Sequence, residues 1–181
     1  MILLPVVAQA HPGHSMYDFG HGVMHPFNGV DHLLAMFAVG LWAVMLGKRA
    51  PWVLPAGFVC CMGIGAVAGA LGWAVSGMEL AIVLSLLTLG CLIAGSARMS
   101  LSWALPLVGL FGVAHGLAHG MEMPATSNGW AYGAGFVVAT ALLHGAGVLC
   151  GLACQRSRQF TLARIAGGLI AGAGVGLALV L

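Results

Sequence analysis

The chain has 181 residues, 61% of them hydrophobic, with six basic and four acidic side chains. Soluble domains carry about 25% charged residues; this chain has 6% and cannot cover a water-facing surface. The mean hydropathy of +1.05 and the net charge of +2 exclude a soluble globular domain and a nucleic-acid partner, and predict an all-α, polytopic integral membrane protein with the lipid bilayer as its solvent.

The first ten residues, "MILLPVVAQA", resemble the back half of a secretory signal: a short apolar core, then Ala-Gln-Ala before His11. The segment lacks a basic start and is at the short end for such a signal. Two readings stand: cleavage after Ala10, which leaves a free amine on His11, or an uncleaved remnant. Residues 11–181 read as a single membrane domain. Its first element, 14–24, is too short and polar to span, and is expected at the interface or folded back over the bundle, with Tyr17 and Phe19 facing lipid headgroups.

A membrane helix needs about 20 largely apolar residues. Runs of that kind between Pro, Gly and charge punctuation predict six spans, roughly 27–47, 52–75, 79–97, 102–121, 130–154 and 160–180. Lys48 and Arg49 follow the first span, Arg98 the third, Arg156 and Arg158 the fifth, and Arg164 opens the sixth. All basic residues therefore fall on one side, which the positive-inside rule makes the cytoplasm, with both termini outside. Asp18, Asp31, Glu79 and Glu122 fall on the opposite side. Six spans are also compatible with two inverted halves, although "GVMHPFNGVDH" and "GVAHGLAHG" align poorly.

The 29 glycines lie inside apolar stretches. Gly65 and Gly69 are four apart, as are Gly168, Gly172 and Gly176, and as are Gly112, Gly116 and Gly120. Small residues at that spacing let membrane helices approach closely, within one chain or between copies in a homo-oligomer. Cys60, Cys61, Cys91, Cys150 and Cys154 all sit in apolar segments, which implies buried packing and no disulfide framework.

The eight histidines are not scattered. His11, His14, His21, His25 and His32 precede or open the first span, and His115 and His119 lie near the outer end of the fourth. His144 lies ~20 Å below the outer start of the fifth, at 1.5 Å per residue. His115 and His119 share one helix face and are able to chelate together. In "HPFNGVDHLLAM" (25–36), Pro26 suits a first helical turn, and Asp31 falls near the positive helix end. Asp31 and His32 point about 100° apart, so one is free to ligate while the other orients or hands on. A lone membrane histidine is often only hydrogen-bonded to its neighbour, and an aspartate at a helix start is often a cap. Convergence of His25, Asp31, His32, His115, His119 and Glu122 on one leaflet is a different matter, because ionisable groups in a membrane are costly and usually functional. Imidazole with carboxylate suits nickel, cobalt, zinc or copper(II), and mixed ligation binds well enough to admit an ion yet weakly enough to release it.

These residues resemble a known family. "HPFNGVDH" fits the His-x5-Asp-His signature of the HupE/UreJ nickel permeases, "HGLAHGMEMP" is similar to their His-Gly-x-Ala-His-Gly-x-Glu-x-Pro motif, and "GFVVATALLHGAGV" (135–148) to their fifth-span pattern. The resemblance covers nearly the whole chain. It implies a six-span inner-membrane carrier of Ni(II), or Co(II) in some members, serving hydrogenase or urease maturation, without a prosthetic group or enzymatic activity. Carried over by motif, the implied metal residues are His25, Asp31, His32, His115, His119, Glu122 and His144, with His11, His14 and His21 as accessory collectors. Two other functions compete. A zinc-dependent membrane hydrolase has Glu122 or Asp31 available as a general base, but the chain has no HExxH motif, and Ser15 is the only serine beside the cluster. A b-type haem protein would use histidines on facing helices as axial ligands.

Overall fold

Seven helices account for most of the chain in the computed structural model, which describes residues 13–123 and 128–181. They are α1 (Gly13–Asn28), α2 (Val30–Leu46), α3 (Ala50–Ala70), α4 (Met78–Ala94), α5 (Leu101–Glu122), α6 (Gly129–Arg156) and α7 (Phe160–Ala178). No strand occurs among the described residues. The signal-like segment and His11 lie outside them.

The helix breaks fall where backbone chemistry requires them. Gly47 and Gly77 adopt positive φ (70° and 82°), a region that costs glycine nothing and other residues strain. Asn128 caps α6 by accepting hydrogen bonds from the backbone N–H of Trp130 and Ala131. Its own N–H donates to Asp18 Oδ2 at 2.8 Å, which ties α1 to the start of α6.

Helices α3, α5, α6 and α7 are each long and apolar enough to cross a membrane, and the α1–α2 pair passes as one span bent by 84°. Helix α4 has 17 residues, about 25 Å at 1.5 Å per residue. It is shorter than the ~30 Å hydrocarbon layer. The protein is thus a multi-pass membrane protein with four to five candidate spans by length and composition. The expected second span is also shorter: α3 stops at Ala70, not 75, and the chain turns through Gly72 at φ 87°.

Helix α2 forms the centre. Ala35, Met36 and every residue from Ala38 to Val44 are buried, as suits a helix apolar on all sides. The glycines set the register around it. Gly112, Gly116 and Gly120 of α5 lie against the backbone of Phe58, Met62 and Ala66 of α3, and Gly65 and Gly69 answer from α3 against Val113 and Leu117. The two helices are therefore parallel and in backbone contact. Gly40 of α2 meets the His144 carbonyl of α6, while Gly147 of α6 meets Phe37 and Gly151 meets Val44, so residue numbers rise together along the contact and these two also run parallel. Gly90 of α4 meets Ala171, and Gly167 and Gly174 of α7 meet Ala94 and Leu87, an antiparallel pair.

One sequence expectation is narrowed and one is corrected. Gly168, Gly172 and Gly176 face open space, while α7 packs through Gly167 and Gly174. Both stripes are present in the sequence, and only the neighbouring helix selects between them. Of the five cysteines only Cys154 is buried, Cys61 and Cys150 are half-buried, and Cys60 and Cys91 face outward. An apolar environment outside the bundle hosts a thiol as readily as a protein core.

Candidate metal centre

Helices α2, α4 and α6 begin, and α3 and α5 finish, at the end of the bundle that carries the acidic residues. There the chain breaks at Gly29, in extended conformation, between α1 and α2. The first predicted span therefore starts later than expected. Pro26 is not its first turn; it lies in the last turn of α1, where it removes one backbone donor shortly before the helix stops. His25 consequently belongs to α1 and His32 to α2, and the 84° bend turns both towards α5. A Cβ at residue 29 would press on Asp31 Oδ1 and His32 Nδ1 at 2.7 and 2.8 Å, so the break needs glycine for the site's sake as much as the turn's.

The outermost group consists of His25, His119 and Glu122. Each offers one ligand atom, and the three atoms lie within 4.8 Å of one another. Glu122 Oε2 is 3.1 Å from His25 Nε2 and 3.6 Å from His119 Nδ1. The carboxylate is half open, whereas His119 is buried. Phe136 packs against both imidazoles, with ring centroids at 6.0 and 4.3 Å. A cavity of about 500 Å³ opens onto this group, lined among others by His21, Met24, His25, Glu122 and Tyr132. His21 stacks at 4.2 Å on Tyr17 at the cavity wall, and Tyr17 and Phe19 are exposed. His14 begins α1, but its side chain lies outside the described residues.

From there the rings follow in file. His119 is 4.3 Å from His32, His32 is 5.1 Å from His115, His115 is 5.4 Å from Phe58, and Phe58 is 5.1 Å from His144, centroid to centroid. Phe58, fully buried, thus sits edge-on between the upper imidazoles and the deep one.

The hydrogen bonds of this file all follow one pattern. His32 Nδ1–H donates to Asp31 Oδ1 at 2.7 Å, and the same oxygen accepts the His32 backbone N–H at 2.8 Å. His115 Nδ1–H donates to the Phe111 carbonyl and His144 Nδ1–H to the Thr140 carbonyl, at 2.8 and 2.9 Å. Each acceptor is an oxygen without a proton, so in the neutral ring the proton is on Nδ1 and Nε2 keeps its lone pair. Those three Nε2 atoms, and both ring nitrogens of His119, are buried without a hydrogen-bond partner among the described residues. Buried polar atoms are normally satisfied. A metal-ligating histidine typically gives its other N–H to a carboxylate or backbone carbonyl in this way. Asp31, placed beside His32 and spent on its Nδ1–H, orients that ring.

The structure therefore brings together six of the seven expected residues at one end, five as rings or carboxylates around the file and Asp31 behind His32, with His144 beyond Phe58. Phe58, Thr140 and Tyr132 were not singled out in the sequence, and Asp18 entered only as a charge on the acidic side. Tyr132 carried a weak signal, as one of two tyrosines; a phenylalanine among aliphatic neighbours carries none.

The HupE / UreJ protein family model matches residues 1–177. The chain belongs to the HupE/UreJ family. It is 42% identical over 177 residues to Protein HupE of Rhizobium leguminosarum bv. viciae, covering 97% of this chain and 92% of that relative. No solved structure matches it. The two segments that resemble HupE/UreJ motifs, at His25–His32 and His115–Glu122, are the ones whose side chains meet at the acidic end.

Proposed function

We propose that this HupE/UreJ protein is a secondary permease that carries Ni(II), with Co(II) as the alternative cargo, inward across the bacterial inner membrane for hydrogenase or urease metallation. The observation that carries the reading is the file of buried imidazoles with Nδ1 committed to an oxygen and Nε2 unpartnered. Such lone pairs suit a borderline divalent ion better than calcium or magnesium, which prefer oxygen.

In this reading the hydrated ion collects in the cavity beside His21 and exchanges waters for His25, His119 and Glu122. It then passes to Nε2 of His32 and His115, and crosses Phe58 to His144. Asp31 is the positioning residue for His32. The ion descends from one imidazole to the next, so no single site holds it tightly, as release requires. We place both termini in the periplasm because the basic residues alternate with the acidic ones along the chain. Counting α2 and α4 as short spans gives six crossings. Support comes from the parallel α3–α5 and α2–α6 pairs and the antiparallel α4–α7 pair, the directions that alternate crossings require. Neighbouring helices cover much of α2 and α4, so neither has to match the full lipid thickness.

The test is uptake of radioactive Ni(II) into proteoliposomes, wild type beside Asp31→Ala, with cobalt, zinc and copper as competitors. Uptake by the wild type and its loss in a variant that still inserts normally is the expected result. Well-folded wild type that takes up no Ni(II) overturns the permease reading.

A further inference from the structure

Tyr132, in the first turns of α6, is 5% exposed, and its hydroxyl is buried without a hydrogen-bond partner among the described residues. Buried tyrosines normally satisfy the O–H, so this one needs an explanation. Its position suggests one. The ring meets His25 edge-on at 5.7 Å, and Tyr132 lines the same cavity as His25 and Glu122. Gly22 of α1 packs directly on the Tyr132 carbonyl, which holds the residue against the segment that bears His25.

Among the described residues the neighbouring group supplies three ligand atoms, one from each side chain. An ion that prefers six ligands keeps three waters there, and a tetrahedral zinc keeps one. The cavity of about 500 Å³ has room for roughly a dozen or more waters at ~30 Å³ each, so it admits a fully hydrated ion. Water loss therefore begins at His25, His119 and Glu122 and stays incomplete. A neutral phenol is a poor metal ligand but a good hydrogen-bond acceptor, and a metal-bound water is a strong donor.

We propose that the Tyr132 hydroxyl accepts a hydrogen bond from a water that the ion retains while held by His25, His119 and Glu122, which makes Tyr132 a specificity residue favouring Ni(II) and Co(II) over Zn(II). The inference rests on the reading of those three residues as the first metal station. An ion that keeps three waters offers three directions in which one can meet Tyr132. A four-coordinate ion has a single water, whose direction the three ligands already determine.

The experiment compares wild type, Tyr132→Phe and Glu122→Gln, purified in detergent. Ni(II), Co(II) and Zn(II) binding are titrated by calorimetry, the Co(II) form is examined by visible absorption, and thermal unfolding is followed without metal. Tyr132→Phe should bind Ni(II) and Co(II) about tenfold more weakly, the scale of one hydrogen bond to a charged centre, and Zn(II) less than about twofold more weakly. Its Co(II) bands should intensify as the coordination number falls. Its metal-free unfolding midpoint should stay level or rise, because the variant deletes an unpaired buried hydroxyl. A structural hydroxyl would instead lower that midpoint, and that outcome overturns the proposal. So do unchanged Ni(II) affinity and an unchanged Co(II) spectrum while Glu122→Gln weakens all three metals. If Glu122→Gln also leaves binding intact, the first station itself fails and the inference falls with it.

Discussion

On one flank of α5, Gly112, Gly116 and Gly120 let the helix lie on the α3 backbone; on the adjacent flank, His115 and His119 hold ring nitrogens that no described residue satisfies. The first flank is complete within the chain, since carbonyl meets glycine with no room for a methyl group. On the reading proposed above, the second is completed by the ion, so one helix carries both a seam of the bundle and part of the path. The two flanks should respond to mutation in opposite ways.

The largest effect is expected on the glycine flank. A Cβ at Gly116 falls on the Met62 carbonyl and 2.8 Å from the Ala66 nitrogen. These are backbone atoms with no alternative rotamer, and overpacking of even a yielding core costs about 1–3 kcal/mol. Gly116→Val should therefore abolish accumulation of folded protein in membranes, read by immunoblot and by size-exclusion profile. A monodisperse Gly116→Val protein would show that α3 and α5 can separate, and the distinction between flanks would collapse.

On the other flank, His115→Leu keeps most of the buried volume and removes the lone pair. Accumulation should be normal and the metal-free unfolding midpoint unchanged or higher, while Ni(II) uptake is lost. If uptake survives, the file does not run through His115. A change of pH tests the same flank without mutation. Protons compete with the ion for imidazole lone pairs, so uptake should be full at neutral pH and fall as the pH is lowered. Uptake that stays level down to the lowest pH at which the protein remains folded would argue against imidazole ligation.

The smallest effect is predicted for the glycines of α7 that face open space. Gly172→Ala meets nothing within 4 Å and should change the unfolding midpoint of the isolated chain by no more than a degree or two, matching ±0.5 kcal/mol for a surface change. A large loss of stability or of oligomer would assign that stripe to contact between copies.

Much of the fold was legible in sequence because a bilayer enforces simple rules. Runs of about 20 apolar residues have to be helical, since no water is there to satisfy an open backbone. The predicted 102–121, 130–154 and 160–180 accordingly became Leu101–Glu122, Gly129–Arg156 and Phe160–Ala178. The start of the first span was misplaced because Pro26 is equally acceptable at the beginning of a helix and close to its end. Only the broken geometry at Gly29 distinguishes the two. The histidine motifs were visible from spacing and family likeness, but spacing on a single helix cannot say which ring meets which across three helices.

By itself, then, the sequence determined the solvent, the helical class, the family and the residue types available for chemistry, because composition and local period carry those directly. The tertiary structure decided which glycine stripe is a seam, that Asp31 serves His32, that Phe58 stands between His115 and His144, and that Tyr132 is left with an unanswered hydroxyl. Each of those is a relation between residues distant in the chain or a choice among equivalent faces. Only packing, where one face excludes another from the same space, resolves such choices.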